Sequence, residues 1–340
     1  MGDNVPAPVG LHLTEKRSFR AIMNRESSVQ VELCEPKYEA LWDEFVRQSK
    51  NGVFIFHRNY LEYHADRFSD FSLLFFQDAQ LIALMPANRV DDAVVSHGGL
   101  TFGGIISGQR MTTVLMLKVF SALVNELRAR GVKKLIYKAI PHIYHTLPAE
   151  EDLYALFLHN ARLFRRDVSS TIATSRKLPL ARLRRRALAR GRSQGLEVAR
   201  TQEFSQFMAI AEANLQSRYG VQPVHTAAEM QLLADRFPEN IKLFTAHLQG
   251  DILAGIITYE SQNVAHAQYG HATEKGRSLG ALDCIIDVLL NEVYADKPYF
   301  DFGISTAENG RTLNAELIQN KESYGARATV YDFYELSLET

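Results

Sequence analysis

The polar residues able to do chemistry gather toward the C-terminus. Val264-Ala265-His266-Ala267-Gln268-Tyr269 is followed by Phe300-Asp301-Phe302-Gly303-Ile304-Ser305, then by Leu313-Asn314 and Asn320-Lys321-Glu322-Ser323-Tyr324-Gly325-Ala326-Arg327. An imidazole titrates near neutral pH, and a carboxylate can take or orient a proton. Side chains alternate across a strand, so His266 and Gln268 share one face of an extended segment, and Asp301 and Gly303 share a face of the next. The two faces could converge on a cleft. A further polar loop, Arg218-Tyr219-Gly220 through Pro223-Val224-His225-Thr226, precedes a helix that Thr226 can cap. Of eleven histidines, His225 and His266 are the best imidazole candidates. His142 and His145 stand three apart beside Tyr144 but lack a third ligand at a recognisable spacing, so no metal site is expected.

These residues need a frame, and the frame repeats. Apolar runs at 71–76 and 81–85 flank Gln77-Asp78-Ala79-Gln80, and runs at 241–248 and 252–259 flank Gln249-Gly250-Asp251; each pair predicts a strand hairpin. The hairpins lie about half a chain apart, a spacing that points to duplication. Helix-periodic segments precede each one, at 38–48 and 58–67 in the first case and at 203–217 and 227–236 in the second. After each come a further strand (93–97; 264–269), a glycine-bearing loop, a long helix (111–130; 279–294) and a short strand (134–139; 299–304). This order predicts an α/β fold with mixed sheets, present twice. The first loop, His97-Gly98-Gly99-Leu100-Thr101-Phe102-Gly103-Gly104, either turns the chain or lets a nucleotide or coenzyme approach its backbone. The second, Gly276-Arg277-Ser278-Leu279-Gly280-Ala281, has the same two readings.

A length of 340 residues fits two domains, expected over 29–175 and 176–340 after a flexible leader at 1–28. With 46% hydrophobic and 23% charged residues and a net charge of -1, the chain is neither disordered nor a nucleic-acid packaging protein. Its two cysteines, Cys34 and Cys284, give no material for a disulfide framework or a cysteine-built zinc site, and a reducing cytoplasm fits. No stretch reaches the roughly 20 apolar residues that span a bilayer. The charge is unevenly spread. Between 162 and 200 stand twelve Lys or Arg against Asp167 and Glu197, an excess of +10 that leaves -11 on the remainder. Within it, 180–192 is helix-compatible, with Leu180, Leu183, Ala187 and Leu188 as an apolar stripe under a basic face. It is either a solvated connecting helix or a seat for a polyanion such as a nucleotide-sugar, a coenzyme or tRNA.

The repeat order, from about residue 29 onward, resembles that of the FemAB-like tandem GNAT-fold acyl and aminoacyl transferases. The most specific stretch is Tyr299-Phe300-Asp301-Phe302-Gly303 followed by Asn320-Lys321-Glu322-Ser323-Tyr324-Gly325, similar to the family's aromatic-Asp-aromatic-Gly strand and its later lysine. A branch associated with cell-surface polysaccharide synthesis is similar in Pro141-His142-Ile143-Tyr144-His145, Pro223-Val224-His225-Thr226, His266-Ala267-Gln268-Tyr269 and Phe302-Gly303-Ile304-Ser305-Thr306. The resemblance implies two GNAT-like (acyl-CoA N-acyltransferase fold) domains in which a substrate amine attacks a thioester or aminoacyl ester, with no metal and no permanently bound cofactor. It implies that Lys321 stabilises negative charge on the donor or the tetrahedral intermediate. Asp301 would take the amine proton, orient the acceptor or brace its own loop, with His225 and His266 as further proton acceptors. Gln268, Tyr269, Arg218, Tyr219, Ser305 and Asn314 would bind substrate, joined by Gly103 and Gly104 from the first copy. The donor would be acyl-CoA or aminoacyl-tRNA. For acyl-CoA, Arg277 and Gly280 match part of the family's pyrophosphate loop, but Leu282 stands where its last small residue should be. The acceptor would be an amino-sugar nucleotide, a lipid-linked sugar or a peptidoglycan precursor. A binding module for activated sugars is the alternative and an RNA-binding protein a third option; DNA is not an expected partner, for want of a reading motif.

Overall fold

The two hairpins form because each polar turn supplies residues that accept the left-handed region. Asp78 and Ala79 have φ of 49° and 62°, and Gln249 and Gly250 have 55° and 91°, as a tight two-residue turn requires. They join Leu73–Gln77 to Gln80–Met85 and Ile241–Leu248 to Asp251–Glu260. In this computed structural model, which describes residues 28–339, the first hairpin lies in a four-stranded sheet with Gln30–Leu33 and Ile106–Ser107. The leader expected at 1–28 falls, except for its last residue, outside the described residues.

The second hairpin belongs to an eleven-stranded mixed sheet that runs through the molecule. Its C-terminal side reads Glu197–Thr201, Ile241–Leu248, Asp251–Glu260, Val264–Ala272, Tyr299–Ile304; its other side reads Lys134–Lys138, Ala93–Val95, Asn88–Val90, Ser69–Asp70. Two long strands, Arg162–Ala173 and Arg327–Ser337, join these sides. Arg327–Ser337 is paired from Arg327↔Thr171 to Glu335↔Arg162 on one edge and to Lys134–Lys138 on the other. The C-terminal strand thus completes the sheet of the N-terminal half, and the hydrogen-bonded sheet is continuous across residue 175.

Several elements differ from the sequence reading. The helix expected at 58–67 is one turn, Arg58–Leu61, continued as the 3-10 turn Glu62–His64. The helix expected at 279–294 starts earlier, as Glu274–Leu279, breaks at Gly280 in the left-handed region (φ 80°), resumes as Ala281–Val288 and ends in a π turn, Leu289–Val293. Strand Arg162–Ala173 was hidden by its charge: Arg162, Arg165 and Arg166 pair with Glu335, Asp167 and Asp332, and only its second half is buried. The basic helix forms as Arg182–Ser193, but Leu183 is 69% exposed and is not part of its buried stripe. The buried face is Ala187, Leu188 and Gly191, because Gly191 lets this helix meet Cys284 closely; a Cβ there would lie 2.5 Å from Cys284 Sγ. Arg182, Arg185, Arg186 and Arg190 face outward.

One apolar cluster lies wholly in the first half apart from Leu336 and Leu338, and a second lies in the C-terminal half apart from Ile172. A third is shared: Phe54, Tyr60, Phe102 and Tyr144 pack with Met230, Tyr259, Tyr269 and Tyr331. Burying one such side chain contributes about 1.5–3 kcal/mol, so the contact between the halves is itself a core.

Candidate active site

Strands Val264–Ala272 and Tyr299–Ile304 run parallel for three pairs, Val264↔Tyr299, Ala265↔Phe300 and His266↔Asp301, and then part. The first strand continues along Asp251–Glu260 with a bulge around Gln268. The second turns at Gly303 (φ 77°), where a Cβ would come to 3.2 Å from His266 Cε1. The fork that opens is lined by residues 267–271 on one arm and by Phe302, Gly303 and Ile304 on the other. His266 and Asp301 stand at its apex.

Asp301 is fully buried. Its Oδ1 accepts from Ser169 Oγ at 2.6 Å and Thr171 Oγ1 at 2.8 Å. Its Oδ2 accepts from His266 Nδ1 at 2.7 Å, Tyr331 OH at 2.9 Å and the Gly303 amide at 3.2 Å. Burial pushes the carboxyl pKa up, but the His266 hydrogen bond and charge, with Ser169 and Thr171, hold it below its ordinary value. An ionised Asp301 takes the Nδ1 hydrogen of His266 and leaves Nε2 as an acceptor. Tyr331 OH, donating to Asp301, lies 3.3 Å from Tyr144 OH, so a hydrogen-bonded chain reaches from the N-terminal half to the apex.

Lys321 is nearly buried on helix Ala315–Glu322, and its Nζ donates to the Gly303 and Ile304 carbonyls at 2.8 Å each. Burial lowers its pKa to about 8, with Asp301 acting in the opposite direction. His225 is also buried. Its amide donates to Tyr269 OH at 3.2 Å, so that hydroxyl gives its own hydrogen to His225 Nδ1, 2.8 Å away, and the ring carries hydrogen on Nε2. Burial lowers the His225 pKa to about 4, which makes it a neutral donor at physiological pH.

Two cavities meet here. One of about 250 Å³ lies between the halves, and one of about 520 Å³ follows the strand fork. Thr101, Val224, His266 and Gln268 line both.

The structure thus brings together His266, Asp301, Lys321, His225, Gln268 and Tyr269. Other expected residues do different work. Ser305 is buried behind the apex, and its amide donates to the Val168 carbonyl. Asn314 is exposed and caps helix Ala315–Glu322 through the Leu317 amide. The side chains of Arg218 and Tyr219, which end helix Phe204–Tyr219, lie outside the described residues. Gly103 and Gly104 do not line the cleft: a Cβ would lie 2.1 Å from the Ser96 carbonyl oxygen at Gly103 and 2.7 Å from the Tyr137 ring at Gly104. Close packing, not ligand approach, requires those glycines, and their neighbours Gly99 to Phe102 line the cavity instead. In the second glycine loop, the candidate pyrophosphate site, Arg277 and Gly280 are engaged within the protein. Arg277 donates to Asn214 Oδ1 and the Ala272 carbonyl at 2.7 and 2.8 Å, and a Cβ at Gly280 would lie 2.5 Å from the Ala187 carbonyl oxygen. Both residues hold a packed corner. Ser169, Thr171, Tyr331 and the role of Tyr144 escaped sequence reasoning. The signal for the first two was their spacing of two, on a strand masked by arginines. His145 bonds the Ile140 carbonyl, and among the described residues no group of three His, Cys, Asp or Glu is placed to hold a metal. No helix of the described residues is long and apolar enough to cross a membrane.

Residues 175–309 match the acetyltransferase (GNAT) domain family. Among solved structures the chain is similar to FemX, at 10% identity and a TM-score of 0.62, over 89% of this chain and 96% of that one. It is similar to L-PGS from Bacillus licheniformis at 12% identity and a TM-score of 0.58, over 91% and 94%. A third similarity, at 11% identity and 0.51, over 75% and 81%, is to the C-terminal domain of a protein from Agrobacterium fabrum described as a lysylphosphatidylglycerol synthetase. No curated protein matches the sequence. At these identities the structural likeness establishes the fold, and the family match, which covers the fork, His266 and Asp301, adds the class of chemistry. The chain carries an acetyltransferase (GNAT) domain over residues 175–309 and has the tandem GNAT fold of these structures, two GNAT-like domains joined through one mixed sheet.

Proposed function

We propose that the protein transfers an acyl or aminoacyl group from acyl-CoA or aminoacyl-tRNA to an amine of a cell-envelope precursor, either an amino-sugar nucleotide, a lipid-linked sugar or a peptidoglycan precursor. The observation that carries this reading is the His266–Asp301 pair at the apex of the strand fork, where the two cavities meet. The donor's acyl end would enter the fork and the acceptor amine the smaller cavity, with His266 Nε2 between them. The amine attacks the carbonyl carbon and the C–N bond forms. His266 takes the amine proton, and collapse of the tetrahedral intermediate breaks the C–S or C–O bond, with the proton passing to the leaving group. Asp301 fixes the ring and stabilises its charged form. The bulge at Gln268 releases a backbone group from the ladder beside the apex, and Lys321 supplies positive charge along the fork, both suited to a developing oxyanion. FemX and the two L-PGS-type proteins share the fold, which supports acyl or aminoacyl transfer.

The test is to incubate the protein with acetyl-CoA or charged tRNA and a panel of amino-sugar nucleotides and peptidoglycan precursors, reading the mass added to each acceptor. Transfer that His266→Gln abolishes supports the reading. Absence of any added mass with every donor and acceptor overturns it.

A further inference from the structure

The smaller cavity has walls without charge. Phe54, Tyr60, Phe102, Tyr144 and Tyr259 form most of it, and none of the residues lining it is Lys, Arg, Asp or Glu. Its polar groups are few: the His225 and His266 rings, Gln268 and small hydroxyls. The cations beside it are already engaged, Lys297 with Glu260 and the Ser261 carbonyl, and Arg67 with Glu229. The charge closest to the apex is the Asp301 carboxylate, held behind His266. A phosphate or carboxylate entering here would lose its hydration, meet no countercharge and face an anion. The volume of about 250 Å³ is ample for one substituted six-membered ring.

We propose that this cavity takes a single uncharged, amine-bearing sugar ring, and that any phosphate or carboxylate of the acceptor stays outside it. Aromatic walls suit the C–H face of such a ring. The neutral His225 offers a donor, while Gln268 and His266 Nε2 offer acceptors to hydroxyls and to the amine. Among the three acceptor classes above, amino sugars whose ring carries the nucleophile are selected over peptide precursors that present an amine close to a carboxylate. The inference rests on the acyltransfer reading.

The experiment uses the full chain and three probes: methyl 2-amino-2-deoxyglucoside, glucosamine 6-phosphate and lysine. Calorimetry without donor is expected to show the glycoside binding at least tenfold more tightly than either charged amine. With donor present, its kcat/KM should be higher by a similar factor. Ser261→Trp, at a residue that lines this cavity and not the fork, should weaken glycoside binding at least fivefold while a thermal melt shows the fold retained. Equal or tighter binding of glucosamine 6-phosphate or lysine overturns the proposal, as does unsaturable binding of the glycoside or unchanged affinity in Ser261→Trp. Tight glycoside binding with no transfer from acetyl-CoA or charged tRNA overturns the acyltransfer reading and leaves the cavity assignment standing. Transfer to lysine with the greater kcat/KM does the reverse.

Discussion

At the scale of single residues, His266 and Lys321 make opposite demands on protonation. In the proposed reaction His266 is the proton acceptor, so His266→Gln should keep acceptor affinity within about threefold while lowering kcat by roughly 10²–10⁴; single-turnover rates with a bound acceptor would check this. Asp301→Asn keeps the shape of its pocket but removes the charge that orients the imidazole, and a loss of about 10² or more in kcat is expected. Lys321 has its pKa lowered by burial to about 8. It is a cation below that value and loses its charge above it, so kcat should fall as pH rises past about 8. Lys321→Arg should remove that falling limb, since a guanidinium stays charged; a pH–rate profile with the same alkaline limb would exclude Lys321 as its source. His225 sets a stability limit on the acid side. Its folded pKa of about 4 lies below the ordinary value of 6.5, so the unfolded chain takes up a proton first as pH falls and stability is lost across that interval. Denaturant midpoints measured between pH 7 and pH 4 should fall, and fall less in His225→Gln.

At the scale of elements, the site depends on where strands stop pairing. The fork begins at His266↔Asp301 because Gly303 turns one arm away and Lys321 ties the carbonyls of that turn to a helix. The other arm is kept in place by the helical corner at residues 274–281, where Gly276 and Gly280 allow backbone contact with Leu253 and Ala187. Gly280→Ala adds a left-handed penalty of about 1–2 kcal/mol, with a contact at 2.5 Å besides. Its expected effect is a melting temperature lower by roughly 2–4 °C, accompanied by weakened donor binding. A melt within one degree of the parent would show that the corner yields without strain.

The whole molecule is organised by an exchange across its midpoint. Arg327–Ser337 lies between Lys134–Lys138 and Arg162–Ala173, and the latter pairs with Tyr299–Ile304. The hydrogen bonds of the proposed site follow the same path, since Tyr144 of the first half reaches Asp301 through Tyr331 of the last strand. Division into 29–175 and 176–340 remains our proposal for the two repeats, and it predicts interdependent units. Truncation before residue 327 should leave both halves without native near-ultraviolet circular dichroism, and the fragment 29–175 alone should not fold. A folded, monomeric 29–175 fragment would refute the exchange as a requirement for folding.

Much of the architecture was legible in the chain. Hairpin turns, strand alternation and helical periodicity are local, so Asp78-Ala79, Gln249-Gly250 and the apolar runs around them announced the repeat. His266 and Asp301 were visible as residues on strand faces for the same reason. What remained hidden depends on contacts between distant residues. Arg162–Ala173 is a central strand in which Arg162 and Arg166 are neutralised by carboxylates of a strand more than 150 positions later, and local charge disguised it. The glycines of both loops looked suited to phosphate, yet the space beside them is filled by Ser96, Tyr137 and Ala187. Sequence by itself determined the repeating elements and the residue types available for acyl transfer. Only the tertiary structure decided which of them meet, because the fork, the five donors on Asp301 and the uncharged cavity arise from pairing and burial across the two halves.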